Sequence, residues 1–455
     1  MNPTGDITIC AVPSRQDVFS LSADHNVTED VAPNPRQIQA KRHRDDGPRW
    51  RKLGLPTRYP MEPAMPGLNP DVDPDGLLEY SVVYTDRALN HMSKKFQGVV
   101  RDIGAILKQA YGAKSAVIVP GSGSFGMEAV ARQFATGRKC LVLRNGWFSY
   151  RWTQIFEMGG IPSEAIVLKA RRSGSGPQAA FTPAPIDEVV AHIAQTKPDV
   201  VFAPHVETSS GMLLPDGYLR AVADAVHAVG GLVVLDCIAS GAMWVDMRAT
   251  GVDVLVSAPQ KGWSGSPCCA FVMLGERARE RIDSTTSTSF ACDLRKWLQI
   301  AEAYEGGGHA YHATLPTDAL VRTRDAMQET QARGFETLRN AQVALGREVR
   351  AMLVRKGFAS VAAEGFQSPS VVVSYTTDPE LSNAKKMLAQ GLQIAAGVPL
   401  QCDEGEDFRS FRVGLFGLDK LGNVERTVRS LEQALGLSMV LAPGTTPQRE
   451  AERAA

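Results

Sequence analysis

Apolar and polar positions along this chain fall into two alternating periodicities. Between about 75 and 275, short apolar runs rich in β-branched residues occur at 115–119, 139–143, 199–203, 231–235, 252–256 and 268–274. Stretches with helical spacing separate them, such as Met127, Val130, Ala131 and Phe134, or Leu219, Val222, Ala225 and Val226. Strands without a polar face are what burial on both sides requires. The pattern therefore predicts an α/β fold, a mostly parallel seven-stranded sheet covered by helices. Beyond 315 the rhythm changes. A helical stretch over about 318–356, a strand at 370–375, a helix around 384–396, a strand at 410–415 and a helix around 424–434 predict a smaller α+β domain.

Four segments result: an N-terminal arm at 1–70, a large domain at 71–314, a small domain at 315–437 and a loose tail at 438–455. The arm has little periodicity and no apolar stretch of the kind that opens a secretory signal. Its basic part holds Arg36, Lys41, Arg42, Arg44, Arg49, Arg51, Lys52 and Arg58 against Asp45 and Asp46. It reads as a solvated, partly disordered tail, with a basic arm lying on a partner as the sharper alternative.

Composition narrows the function classes. The 455 residues carry 49 Lys and Arg against 49 Asp and Glu, so no net charge draws the chain to nucleic acid or an anionic membrane. No apolar run is long enough to cross a membrane. Seven cysteines, an odd number in so long a chain, fit reduced thiols in the cytoplasm better than a disulfide framework. No metal is expected.

Three segments carry candidate chemistry. The first is a strand running into Gly121-Ser122-Gly123-Ser124 and then a helix. Free backbone amides, the hydroxyls of Ser122 and Ser124 and the positive helix end would suit a phosphate; a plain turn is the blander reading. The second is an apolar strand that ends in Asp236. Asp236 is either a helix cap or a buried carboxylate facing a protonated heteroaromatic nitrogen. The third is a strand that leads through Gln260 to Lys261 and a Gly/Ser/Pro loop. A lysine in that place is a candidate for a Schiff base.

Phosphate loop, strand-end Asp and a following Lys come in an order similar to that of the fold-type I pyridoxal-phosphate enzymes, whose cofactor needs a phosphate cup, an anion for its ring nitrogen and an amine for its aldehyde. With His91-Met92-Ser93, Asn145-Gly146-Trp147-Phe148, His205-Val206-Glu207-Thr208 and Phe411-Arg412-Val413-Gly414, the chain resembles the class V aminotransferases among the fold-type I pyridoxal-phosphate enzymes, in particular their alanine–glyoxylate and serine–pyruvate branch. The resemblance implies that Lys261 holds the cofactor covalently and moves the proton, while Asp236 pairs with the ring nitrogen. Ser122, Gly123, Ser124 and Gln260 would hold the phosphate, joined across a homodimer by Tyr311 and Thr314 of the other subunit. Phe148 would stack on one face of the ring, Ile238 would pack on the other, and Thr208 would bond its phenolic oxygen. Arg412 would clamp the substrate carboxylate. The implied substrates are a small amino acid, alanine or serine, and an α-keto acid such as glyoxylate or pyruvate. A lyase or a cysteine desulfurase using Cys402 is the rival chemistry, and a cofactor-binding protein without turnover is the rival class.

Overall fold

All six of the apolar runs become strands buried almost throughout, and a seventh strand joins them. A computed structural model describes residues 72–440, Gly76 excepted, and side chains as far as 436. The strands are β1 (Ser115–Pro120), β2 (Lys139–Arg144), β3 (Glu164–Lys169), β4 (Val200–Pro204), β5 (Leu232–Asp236), β6 (Val254–Ser257) and β7 (Cys269–Leu274). They form one sheet in the order β1-β7-β6-β5-β4-β2-β3. β3 escaped the sequence pattern because it is an edge strand, half exposed and bounded by Glu164 and Lys169. Its polar ends are what an unpaired sheet edge tolerates.

The neighbours from β6 to β3 pair in parallel, whereas β7 is antiparallel to both β6 and β1. Two reversals cancel, so β1 points the same way as the parallel strands. The carboxyl ends of β1, β2, β4, β5 and β6 therefore share one edge of the sheet. Helices α1 (Lys94–Tyr111), α2 (Gly123–Phe134), α3 (Trp147–Gly159), α4 (Ile186–Thr196), α5 (Asp216–Ala228) and α6 (Leu294–Glu305) accompany it. Apart from β3, the strands are largely apolar on both faces because both faces are buried.

The helical stretch expected over 318–356 is two helices, α7 (Thr317–Arg333) and α8 (Phe335–Arg355), broken at Gly334 with φ +87°. The left-handed conformation is open to glycine at little cost, and it turns the chain where apolar periodicity alone shows no break. A three-stranded antiparallel sheet follows, ordered β8 (Val371–Tyr375), β10 (Ser410–Gly414), β9 (Ala395–Ala396). The helix expected around 384–396 is corrected here. Only Lys385–Ala389 is helical, and Ala395 and Ala396 pair with Arg412 and Phe411 instead. The last helix, α9, runs Val424–Val440, past the expected end at 434. The arm at 1–70 and the tail beyond 440 lie outside the described residues. The described residues form one compact unit. A continuous apolar core links Val233 and Phe271 of the large sheet through Leu320 and Leu345 to Val372 and Phe411.

Candidate active site

The shared sheet edge gathers the chemistry. After β1, Ser122 sits in extended conformation as the N-cap of α2, and its hydroxyl makes no cap bond. The amides of Phe125 and Gly126 already bond to Ser122 O, so those of Gly123 and Ser124 precede the helix ladder and stay available. Gly123 is required by a close approach: a Cβ there would fall 2.6 Å from Ile238 Cδ1. The glycine loop and the loop after β5 thus touch.

β5 ends at Asp236, which is buried, and its Oδ1 accepts from Ile238 N at 2.9 Å. Burial pushes its pKa up to about 6, against the pull of the Ile238 amide and the Lys261 charge. Lys261 follows β6 by four residues. Burial lowers its pKa; the Asp236 charge opposes that, and Arg412 reinforces it. A desolvated ammonium gives up its proton more readily than one in water, which a lysine that must act as a free amine needs. Lys261 Nζ lies 5.5 Å from the centre of the Phe416 ring. Gln260, beside it, is exposed.

Phe148 is the second residue of α3. The Arg412 guanidinium stands 5.5 Å from its ring centre and that of Arg151 5.2 Å. Trp147 instead turns toward Tyr150, 5.7 Å away, so Phe148 is the aromatic that faces the site. Arg412, on β10, donates through Nε to Ala396 O at 2.7 Å. Among the described residues its two terminal nitrogens have no hydrogen-bond partner. Thr208, in the loop after β4, is buried with its Oγ1 unpaired. A buried hydroxyl without a partner is costly, and that cost points to a ligand atom it would serve.

Tyr311 and Thr314 stand apart from this set. They lie between α6 and α7, both exposed, and their hydroxyls meet each other at 3.1 Å. The Tyr311 ring rests 5.5 Å from that of His91. No hydrogen bond or ring contact among the described residues joins either to Ser122, Gly123 or Ser124.

Two residues of the site went unread in the sequence. Arg151 donates to Ser124 Oγ at 2.9 Å, bringing a cation to the phosphate loop. Its spacing of three from Phe148 places both on one helix face, a signal that was available. Glu207 is fully buried at the amino end of α3, although it sits inside a stretch already singled out. By contrast Cys402, the candidate desulfurase thiol, is buried and donates to Arg144 O at 3.4 Å. Burial pushes its pKa up to about 12, which leaves it without thiolate character.

A lysine inclined to lose its proton and a carboxylate short of a cation suit a ring bearing an aldehyde and a protonated nitrogen. The free amides of α2, the unpaired Thr208 hydroxyl and the single bond to Asp236 all fit pyridoxal 5′-phosphate, and the fold is that of the fold-type I enzymes built around it. The aminotransferase class-V family model matches residues 77–398. The chain is 29% identical over 359 residues to a 2-aminoethylphosphonate–pyruvate transaminase of Burkholderia ambifaria, covering 77% of this chain and 88% of that one. It is 27% identical over 291 residues to an alanine–glyoxylate aminotransferase of Rattus norvegicus, covering 62% of this chain and 65% of that one. A solved alanine–glyoxylate aminotransferase from Nostoc sp. superposes with a TM-score of 0.64 at 19% identity, over 85% of this chain and 98% of that one. This chain belongs to the class V aminotransferases. It is a pyridoxal-phosphate-dependent transaminase that acts on amino acids and keto acids.

Proposed function

We propose that the enzyme moves the amino group of a small amino acid, of the alanine or serine type, to glyoxylate or pyruvate, as a cytoplasmic homodimer with shared active sites. The observation that carries the substrate reading is the state of Arg412. It spends only Nε on Ala396 O and offers both terminal nitrogens, while Arg151 spends Nη1 on Ser124 at the phosphate loop. A guanidinium with both terminal nitrogens available matches one carboxylate, gripped bidentately, as an amino acid offers.

When bound, the cofactor supplies an aldehyde carbon for the amino group and a protonated ring that takes up electrons. The chain's own residues do the rest. Arg412 fixes the substrate carboxylate and thereby aims the α-carbon. Lys261, as the free amine, takes the α-proton on Nζ and would deliver it to the cofactor's aldehyde carbon, which its lowered basicity favours. Asp236 stays charged opposite the ring nitrogen. Phe148 and Ile238 close on the two faces and keep water out, and Thr208 Oγ1 meets the phenolic oxygen. Ser122, Gly123, Ser124 and Gln260 hold the phosphate.

The shared-site reading draws on Tyr311 and Thr314, whose exposed hydroxyls find only each other among the described residues. A phosphate dianion in a second subunit would give both a charged acceptor. The cytoplasmic reading draws on the cysteines, since all six in the described residues are free thiols. The buried state of Cys402 speaks against a desulfurase. The test is a matrix of donors (alanine, serine, 2-aminoethylphosphonate) against glyoxylate and pyruvate, scored by kcat/KM. Turnover with alanine or serine is expected to dominate. Dominant turnover with 2-aminoethylphosphonate, or lyase products without transfer, would contradict the proposal.

A further inference from the structure

The mechanism above leaves one buried acid of the site without a task. Glu207 is fully buried, and its carboxylate accepts from Phe148 N at 3.1 Å, Ser149 N at 2.8 Å, Ser149 Oγ at 2.7 Å, Ser209 N at 3.1 Å and Ser209 Oγ at 2.7 Å. Each serine hydroxyl that donates to it also accepts from the backbone. Ser149 Oγ takes Asn145 N at 2.9 Å and Gly146 N at 3.1 Å, and Ser209 Oγ takes Trp147 N at 2.8 Å. Every amide from Asn145 to Ser149 is therefore tied, directly or through one hydroxyl, to this one carboxylate. Gly146 makes the approach possible: a Cβ there would fall 2.0 Å from Ser209 Oγ and 2.7 Å from Glu207 Cγ.

We infer that Glu207 is a positioning residue for transamination, locking Phe148 and Thr208 into one rigid piece that fixes both the stacked ring and the hydroxyl presented to the cofactor. The carboxylate bridges two segments that come from different strands, the turn after β2 and the loop after β4. Phe148 lies in the first, tied through its own amide. Thr208 lies in the second, between Glu207 and Ser209, so its flanking residues are both in the shell while its hydroxyl stays unpaired. Five donors converge on the carboxylate, the Ser149 hydroxyl sharing its one hydrogen with Gly146 O at 3.0 Å, an arrangement that suits an acceptor-only group. A carboxamide would turn an NH2 toward these donors. The positive end of α3 stabilises the charge without a paired cation. That charge also acts on Lys261 and Arg412, favouring their protonated forms.

The inference rests on reading Phe148 and Thr208 as the residues that meet the ring, and the test separates the two. Holoenzyme of Glu207→Gln is compared with wild type for cofactor Kd by titration, for the induced circular dichroism of the visible band, and for the pH midpoint of that band. The variant is expected to bind cofactor about tenfold or more weakly, as loss of bonds to a charged acceptor implies. Its visible dichroism should fall and its midpoint should move to lower pH, because a negative charge near Lys261 is gone. A folded Glu207→Gln protein with Kd within about twofold and unchanged dichroism and midpoint overturns the inference. If that variant does not fold, Ser209→Ala carries the test. It keeps the carboxylate, removes the acceptor of Trp147 N, and should shift Kd and dichroism the same way; no change in either overturns the inference. Phe148→Leu and Thr208→Val serve as controls. Should both leave dichroism and Kd unaltered, the ring-facing reading falls and the inference with it. Should they alter both while Glu207→Gln does not, only the role of Glu207 falls.

Discussion

The Asp236 carboxylate accepts from the amide of Ile238 at 2.9 Å, so the acid proposed for the ring nitrogen and the side chain proposed for the ring face are fixed to each other. The same Ile238 lies where a Cβ on Gly123 would intrude. Ring nitrogen, ring face and phosphate loop are thereby set by one short contact chain.

Asp236→Asn keeps the Ile238 bond and removes the charge. In the holoenzyme, kcat should fall at least about a hundredfold, on the order of 3 kcal/mol, because a neutral partner no longer holds the ring proton. A variant within about threefold of wild type would reduce Asp236 to a loop cap.

The cofactor-stripped protein gives a separate signature of the same residue. With its folded pKa pushed up to about 6, Asp236 holds its proton more tightly in the native than in the unfolded chain. Its contribution is therefore present at low pH and lost as pH rises between about 4 and 6, by on the order of 3 kcal/mol. Stripped Asp236→Asn should be more stable than stripped wild type above that window, and the advantage should vanish below it. Denaturant titrations at a series of pH values check this; a difference independent of pH would contradict it.

Gly123→Ala should force Ile238 aside and weaken cofactor binding by about tenfold or more, as overpacking at a site without slack does. Equilibrium titration of the stripped variant reads it directly, and unchanged affinity would mean that the two loops part easily.

Arg412→Lys retains the charge and loses the fork. The expected result is a fall in kcat/KM for both amino acid and keto acid of about tenfold to a hundredfold, carried mainly by KM. Steady-state kinetics with each substrate varied show whether KM moves; a change confined to kcat would place the carboxylate elsewhere.

Much of this site was legible in the sequence because strand-end residues announce themselves. Asp236 closes an unbroken apolar run, and Lys261 follows another. The network around Glu207 was not legible, since its partners Phe148 and Ser149 lie about 60 positions away and meet it only when β2 and β4 pair. β3 was hidden by its polar edge, and the break at Gly334 by apolar periodicity that continues across it. Residues 395 and 396 sit in a helical-looking stretch, but pairing with β10 overrides local preference.

A shared active site predicts complementation. Lys261→Ala and the double variant Tyr311→Phe with Thr314→Ala should each be inactive or nearly so, and mixing them with subunit exchange should restore partial turnover. One site of the mixed dimer has the intact lysine of one chain and the intact loop of the other. Verified exchange without recovered activity would confine the loop to its own subunit.

Lys261 is proposed to carry the cofactor through a two-stage amino transfer. The most direct measurement is a single half-reaction. Holoenzyme is mixed with alanine and no keto acid, and the cofactor is then released with acid and identified by mass. Wild type should yield the aminated cofactor in stoichiometric amount, revert on addition of glyoxylate, and lose the visible band of lysine-bound cofactor in Lys261→Ala. A wild-type cofactor that stays unaminated with every amino donor, or a Lys261→Ala protein that keeps both the band and the transfer, would contradict the account.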